Sequence, residues 1–195
     1  MQPETRSSLL LRVGDAQDQA AWEEFIELYH PVIYRTARLR GLQDADAHDV
    51  AQCVLIKVGR SLNERPHDRG RARFRTWLAT VTRNEAINAL RRWQADRGTG
   101  DSDVQKQLHN IADNDQQQAV WEAEYQKELF RLAARRIEPE FEAVTWQSFW
   151  RTTVEGESIA AVSESLGKQV GSIYAARSRI MRRLREEVDK LQSET

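Results

Sequence analysis

The stretch SIAAVSESLGKQVGSIYAARSRIMRRLR, residues 158–185, decides how the chain is read. Ser158 has the chemistry of an N-cap, since its hydroxyl can accept from an amide that the first helical turn leaves unpaired. Ile159, Val162 and Leu166 recur at helical spacing, and Gly167 supplies the residue that closes a helix in the left-handed region. A short turn leads to a longer helix beginning near Val170, with Ile173, Ala176, Ile180, Leu184 and Val188 inward. A short helix, a tight turn and a long basic helix predict a helix-turn-helix, whose second helix typically enters the DNA major groove.

At about 100° per residue, the face opposite that stripe carries Tyr174, Ala175, Ser178, Arg179, Arg182 and Arg185. Small residues near the start of the helix permit close approach to base edges, and arginine can read guanine or clamp phosphate. Spacing alone leaves a second reading open, in which this is a surface helix with a solvated arginine face. Arg177 falls at the edge of the inward stripe, so its stem is expected to pack on the core with the guanidinium reaching out.

Outward from this stretch, a helix is expected from about Val154 back to Pro139, carrying Phe141, Val144, Trp146, Phe149 and Trp150. Another is expected from about Asp115 to Ile137, with Trp121, Tyr125, Leu129 and Leu132 on one face. Between Gln94 and Gln118 the composition turns to Gly, Asp and Gln, with little apolar surface to bury, and predicts a flexible linker. The first half offers three helical stretches: Gln17 to Leu39, which Pro31 is expected to kink or divide; Asp44 to Leu62; and Ala72 to Trp93. The segment from Asn63 to Arg73, with Pro66 and Gly70, reads as a loop. The predicted fold is all-α: two small helical domains, 1–93 and 119–195, joined by a linker at 94–118, the second ending in the helix-turn-helix.

Net charge is −1, which by itself argues against a nucleic-acid binder. Its distribution reverses that reading. Asp15, Asp18, Glu23, Glu24, Glu27, Asp44, Asp46 and Asp49 make the first quarter acidic, and two basic clusters follow at 71–97 and 168–185. The local field at the phosphates governs binding, so segregated charge outweighs the total. On the second helix Asp46, Asp49 and Gln52 lie opposite the apolar stripe, where they suit an Arg-rich partner helix or simply face water. On the third, Trp77, Asn84, Asn88 and Arg91 form a stripe that is not simply apolar; Asn pairs a donor with an acceptor and an aromatic ring can stack on a base. The alternative places Trp77 in the core and both Asn in solvent.

Catalytic readings find little support. The four His show no zinc spacing with each other or with the lone Cys53, and neither a Walker loop, a Gly-x-Ser-x-Gly elbow nor a dinucleotide fingerprint occurs. No catalytic residue, metal or cofactor is expected, and with a single Cys and no long apolar run the chain is expected to stay in the cytoplasm.

Taken in order, the segments resemble the extracytoplasmic-function (ECF) sigma factors of RNA polymerase over nearly the whole chain. The family's acidic Asp-x-x-Gln-x-Val helix reads here Asp49-Val50-Ala51-Gln52-Cys53-Val54. Its Phe-Arg-x-Trp-Leu, Arg-Asn and Leu-Arg-Arg run reads Phe74 to Leu78, Arg83-Asn84 and Leu90-Arg91-Arg92. Its closing Leu-Gly, hydroxyl-aliphatic pair and basic helix read Leu166-Gly167, Ser172-Ile173 and Ser178 through Arg185.

The resemblance implies a non-enzymatic subunit that binds core RNA polymerase through Asp46, Asp49 and Gln52. It implies that the minus-ten element is melted and held by His67, Asp68, Arg69, Arg75, Trp77, Arg83, Asn84, Asn88, Arg91 and Arg92. The minus-thirty-five duplex falls to Ser172, Tyr174, Ala175, Ser178, Arg179, Arg182 and Arg185. Core polymerase and promoter DNA are the implied partners, an anti-sigma factor a further candidate, and no membrane partner is implied. His48 and Cys53 depart from a commoner Glu, and Tyr174-Ala175-Ala176 from a commoner Lys-Ser-Arg; Trp146 and Trp150, with the Tyr-Ala-Ala variant, resemble a planctomycete-like subgroup. The competing readings are a helix-turn-helix repressor or activator with a helical effector domain, and a helical nucleic-acid hydrolase.

Overall fold

A computed structural model describes residues 9–15, 17–64, 71–97 and 114–194. Among them lie eight α-helices and no strand. The helices are α1 (Leu9–Val13), α2 (Gln19–Leu39), α3 (Asp44–Glu64), α4 (Arg71–Arg97), α5 (Asn114–Ile137), α6 (Ala143–Thr153), α7 (Ile159–Leu166) and α8 (Val170–Glu194), with a 3-10 turn at Glu138–Glu140. Two compact units divide inside α5, between Glu128 and Leu129.

In the first unit α2, α3 and α4 pack together around aromatic rings. Phe25 and Tyr29 of α2 sit 4.5 Å apart by ring centroid, and Phe74 of α4 meets Tyr29 edge-on at 5.9 Å. All three are buried. The edge-to-face contact sets the positive rim of one ring against the negative face of the other. Asp18 caps α2 by accepting from the Ala21 amide at 2.9 Å, and Arg12 grips the same carboxylate from the end of α1. The Arg12 bond and the Ala21 amide hold the Asp18 carboxyl below the ordinary carboxylate range. Helix α1 has no counterpart in the sequence reading, since five residues are too few for a period to show.

Pro31 lies within a continuous α2 and does not divide it. Phe25, Leu28, Tyr29, Val32 and Ile33 are buried on both sides of it. Unbroken packing of that stripe outweighs the roughly 3 kcal/mol a proline costs inside a helix. Further along the chain Pro139 sits in the 3-10 turn, and α6 opens only at Ala143 after extended backbone at Phe141 and Glu142.

The second unit buries Leu129, Leu132, Ile137, Phe149, Val162, Ile173, Ile180 and Leu184. Ser158 caps α7 by accepting from the Ala161 amide at 3.2 Å. Gly167 ends it at φ +59°, a backbone state that costs a side chain about 1–2 kcal/mol. There Lys168 donates its amide to Ser163 at 3.1 Å, satisfying a carbonyl at the end of the helix.

The unit boundary falls ten residues after the domain start read at 119, because the first half of α5 packs on α2 and α4. Trp121 and Tyr125 are fully buried there, and Tyr125 stacks on Tyr29 at 5.9 Å. Helices α4 and α5 reach into both ends of the segment read as linker, whose residues 98–113 lie outside the described residues.

Candidate nucleic-acid interface

Helix α3 is fixed by Ala47, Val50, Ala51, Val54 and Val58, all buried, which turns its other face outward. Asp49 and Gln52 are exposed on that face and Asp46 is half-buried. Its first turn also meets α2: Tyr34 donates its hydroxyl to Asp44, and His48 lies 4.5 Å from the Tyr34 ring and 5.9 Å from His30. Burial, then the neighbouring His48, lowers the His30 pKa.

Helix α4 is pinned through Phe74, Leu78, Ala86 and Leu90. Asn84, Asn88, Arg91 and Arg92 are exposed, at a spacing that keeps the two amides and Arg91 along one side. Trp77 is half-buried, tilted against Phe74 at 5.6 Å, so its ring is shared between core and surface. Arg75 and Arg83 are half-buried too. The Arg75 guanidinium lies 4.9 Å over the Tyr125 ring. Burial works against its charge, but Tyr125 and Glu122 more than compensate and hold its pKa above the ordinary value. His67, Asp68 and Arg69 lie outside the described residues.

Arg40, absent from the sequence reading, stands just past the end of α2 at 7 % exposure. Burial first, and then the charge of Arg83, brings its pKa down to about 10. A cation at the end of a helix complements the unpaired carbonyls there, which is ground enough for its position. Its nearness to Arg83 concentrates positive charge on the α4 side of the unit. Local sequence gives no hint of this, because the two residues are brought together only by tertiary packing.

Helix α8 shows a clean division. Ile173, Ala176, Ile180 and Leu184 are buried, while Ser172, Tyr174, Ala175, Ser178, Arg179, Arg182 and Arg185 are all exposed. Arg177 is half-buried, as its place at the edge of the stripe predicts. Arg183 is not on the outward face: it binds Glu140 through two 2.8 Å bonds and reaches buried Glu187 at 3.1 Å. Arg136 approaches Glu187 from α5 at 3.6 Å. These ion pairs fix α8 within its unit and separate structural arginines from those that face water. A cavity of about 780 Å³ between α5 and α6 is lined by Arg131, Arg135, Trp146, Trp150 and Arg151, the last held by Glu157 at 2.6 Å.

The described helices thus place an acidic-amide face on α3, an amide-arginine face on α4 and a small-residue and arginine face on α8. Comparison with known proteins bears directly on the first two. Residues 25–96 match sigma-70 region 2. The match begins at Phe25 in α2 and ends in the last turn of α4, so it spans the aromatic core and both outward faces. The chain is also 26 % identical to the ECF RNA polymerase sigma factor SigE of Mycolicibacterium smegmatis, over 98 % of its own length and 70 % of that protein. The two matches say what the chain is similar to: a sigma-70 region 2 over residues 25–96 and, over nearly its whole length, one ECF sigma factor. No helix among the described residues is long and apolar enough to cross a membrane.

Proposed function

We propose that the chain is a non-enzymatic ECF sigma factor that binds core RNA polymerase, opens the minus-ten element and reads the minus-thirty-five element. The observation that carries this reading is the region 2 match over 25–96, coinciding with exposed Asp49 and Gln52 on one helix and Asn84, Asn88, Arg91 and Arg92 on another. Carboxylates complement a basic polymerase helix, and electrostatic complementarity gives such docking its speed and specificity. Amides and arginines suit an unpaired strand, whose bases must be unstacked at a cost of a few kcal/mol and held by compensating contacts. The protein would act in the cytoplasm with polymerase and promoter DNA as partners. His67, Asp68 and Arg69 would contribute polar contacts to an extruded base. The Tyr174-Ala175-Ala176 variant favours a planctomycete-like subgroup, and an anti-sigma factor would be the natural regulator.

In this reading α7, the turn at 167–169 and α8 are a helix-turn-helix. Exposed Ala175 and Ser178 let α8 sink into the major groove, with Arg179 and Arg182 as anchors. Replacing either arginine with Ala is expected to weaken binding to promoter duplex by about 1–3 kcal/mol where it reads a base. Where it holds a phosphate, the slope of log affinity against log salt falls by about one instead. Fluorescence anisotropy across a salt series separates the two, and no change in either quantity leaves these arginines as solvated surface. The reading as a whole is tested by adding the chain to core polymerase and mapping where transcripts begin.

A further inference from the structure

We propose that the first half of α5, residues 118–128, is an internal competitor for the nucleic-acid strand at Arg75. The proposal rests on the reading of Arg75 as a minus-ten contact.

Four residues of α5 share one face at helical spacing: Trp121, Glu124, Tyr125 and Glu128, exposed by 0 %, 5 %, 1 % and 1 %. Two glutamates on a buried face are unusual, because buried carboxylates are costly unless paired. Arg35 of α2 supplies the pairing, 3.0 Å from Glu124 and in contact with Glu128 as well. Lys127 adds a second bond to Glu124 at 2.7 Å. Burial raises the pKa of Glu124, but the bonds from Lys127 and Arg35 prevail and hold it below the ordinary value. Beside this charge pair, Tyr125 lies between Tyr29, on which it stacks, and Arg75, whose guanidinium covers its ring.

The segment therefore presents to this unit a π-face under one arginine and paired anionic oxygens under another. A single strand presents the same two chemistries, bases that stack on a guanidinium and phosphates that pair with one. The guanidinium face that covers Tyr125 is not free for a base, so strand and segment exclude each other at Arg75. The apparent affinity of the free chain is then its intrinsic affinity multiplied by the fraction of molecules in which the segment has left. Partner contacts that favour the released state would restore it, which would couple promoter opening to assembly.

The test uses the full chain and labelled, short single-stranded DNA of mixed sequence. Glu124→Gln with Glu128→Gln keeps the side-chain shapes and removes the charge; Tyr125→Leu, made separately, removes the π-face while keeping apolar filler. Both are expected to bind the probe about tenfold more tightly than the parent, and Arg75→Ala is expected to cancel the gain. Amides of 118–128 should exchange faster in both variants, and in the parent once the probe is added. Faster exchange without tighter binding overturns the competition, as do protected amides in the variants or no probe binding by any form. A gain that survives Arg75→Ala also overturns it, yet leaves the sigma-factor reading standing. That reading falls instead if core polymerase start sites do not respond to the chain.

Discussion

Arg35→Ala is expected to free the first half of α5: exchange of its amides at 118–128 should rise about 100-fold, corresponding to roughly 3 kcal/mol of lost docking. Deleting one partner of a buried ion pair is harmful because the other charge stays out of water. The expected loss sits at the low end of the usual range for two reasons. Arg35 is itself 28 % exposed, so part of its charge was already solvated, and Lys127 still reaches Glu124. Restoring neutrality with Glu128→Gln in the same chain should recover part of the loss. The pH dependence follows from Glu124, whose pKa is lowered in the folded state. A carboxylate of that kind contributes stability that is present above its ordinary pKa of 4.5 and lost as the pH falls through the folded value. The gap between parent and variant is therefore wide at neutral pH and narrows below 4.5. Equal exchange in the two proteins at neutral pH would mean that the ion pair does not hold the helix.

The second large effect is expected from Asp49→Lys, and under the proposed function it falls on assembly rather than on folding. Asp49 is exposed on α3 opposite Val50, Ala51 and Val54, which hold the helix in place. A change at such a position moves folding stability by no more than about 0.5 kcal/mol. Against a basic partner helix, however, the new charge repels where the old one attracted, and like charges set face to face cost several kcal/mol. Affinity for core RNA polymerase is expected to drop about 100-fold. Asp46 is a poorer probe, because it is half-buried and its replacement mixes folding with docking. Unchanged assembly of the Asp49→Lys chain would move the docking face away from α3.

Features set by neighbours in sequence were legible from the sequence. Ser158 and Gly167 bound α7 through bonds to residues three to five positions away, and the outward face of α8 follows from spacing alone. The same holds for Asp49 and Gln52 on α3, and for Asn84 and Asn88 on α4. Features that depend on distant partners were not legible. Arg75 reads as a strand contact, yet it meets a tyrosine fifty positions away. Arg35 and Glu124 are 89 residues apart, and no local pattern joins them. One signal was available: Glu124 and Glu128 fall on the same helical face as Trp121 and Tyr125, so carboxylates were written into an apolar stripe. That Pro31 does not divide α2 was hidden for a related reason, since the packing that keeps α2 continuous comes from other helices.

Transcription by purified core RNA polymerase, with start sites mapped in the presence and absence of this chain, bears most directly on the sigma-factor reading. The expected result is a discrete set of new starts that appear only with the chain, disappear with Asp49→Lys and weaken when Arg179 and Arg182 are both Ala. Start sites that stay the same, while the chain binds duplex on its own, would contradict it and point to an ordinary helix-turn-helix regulator.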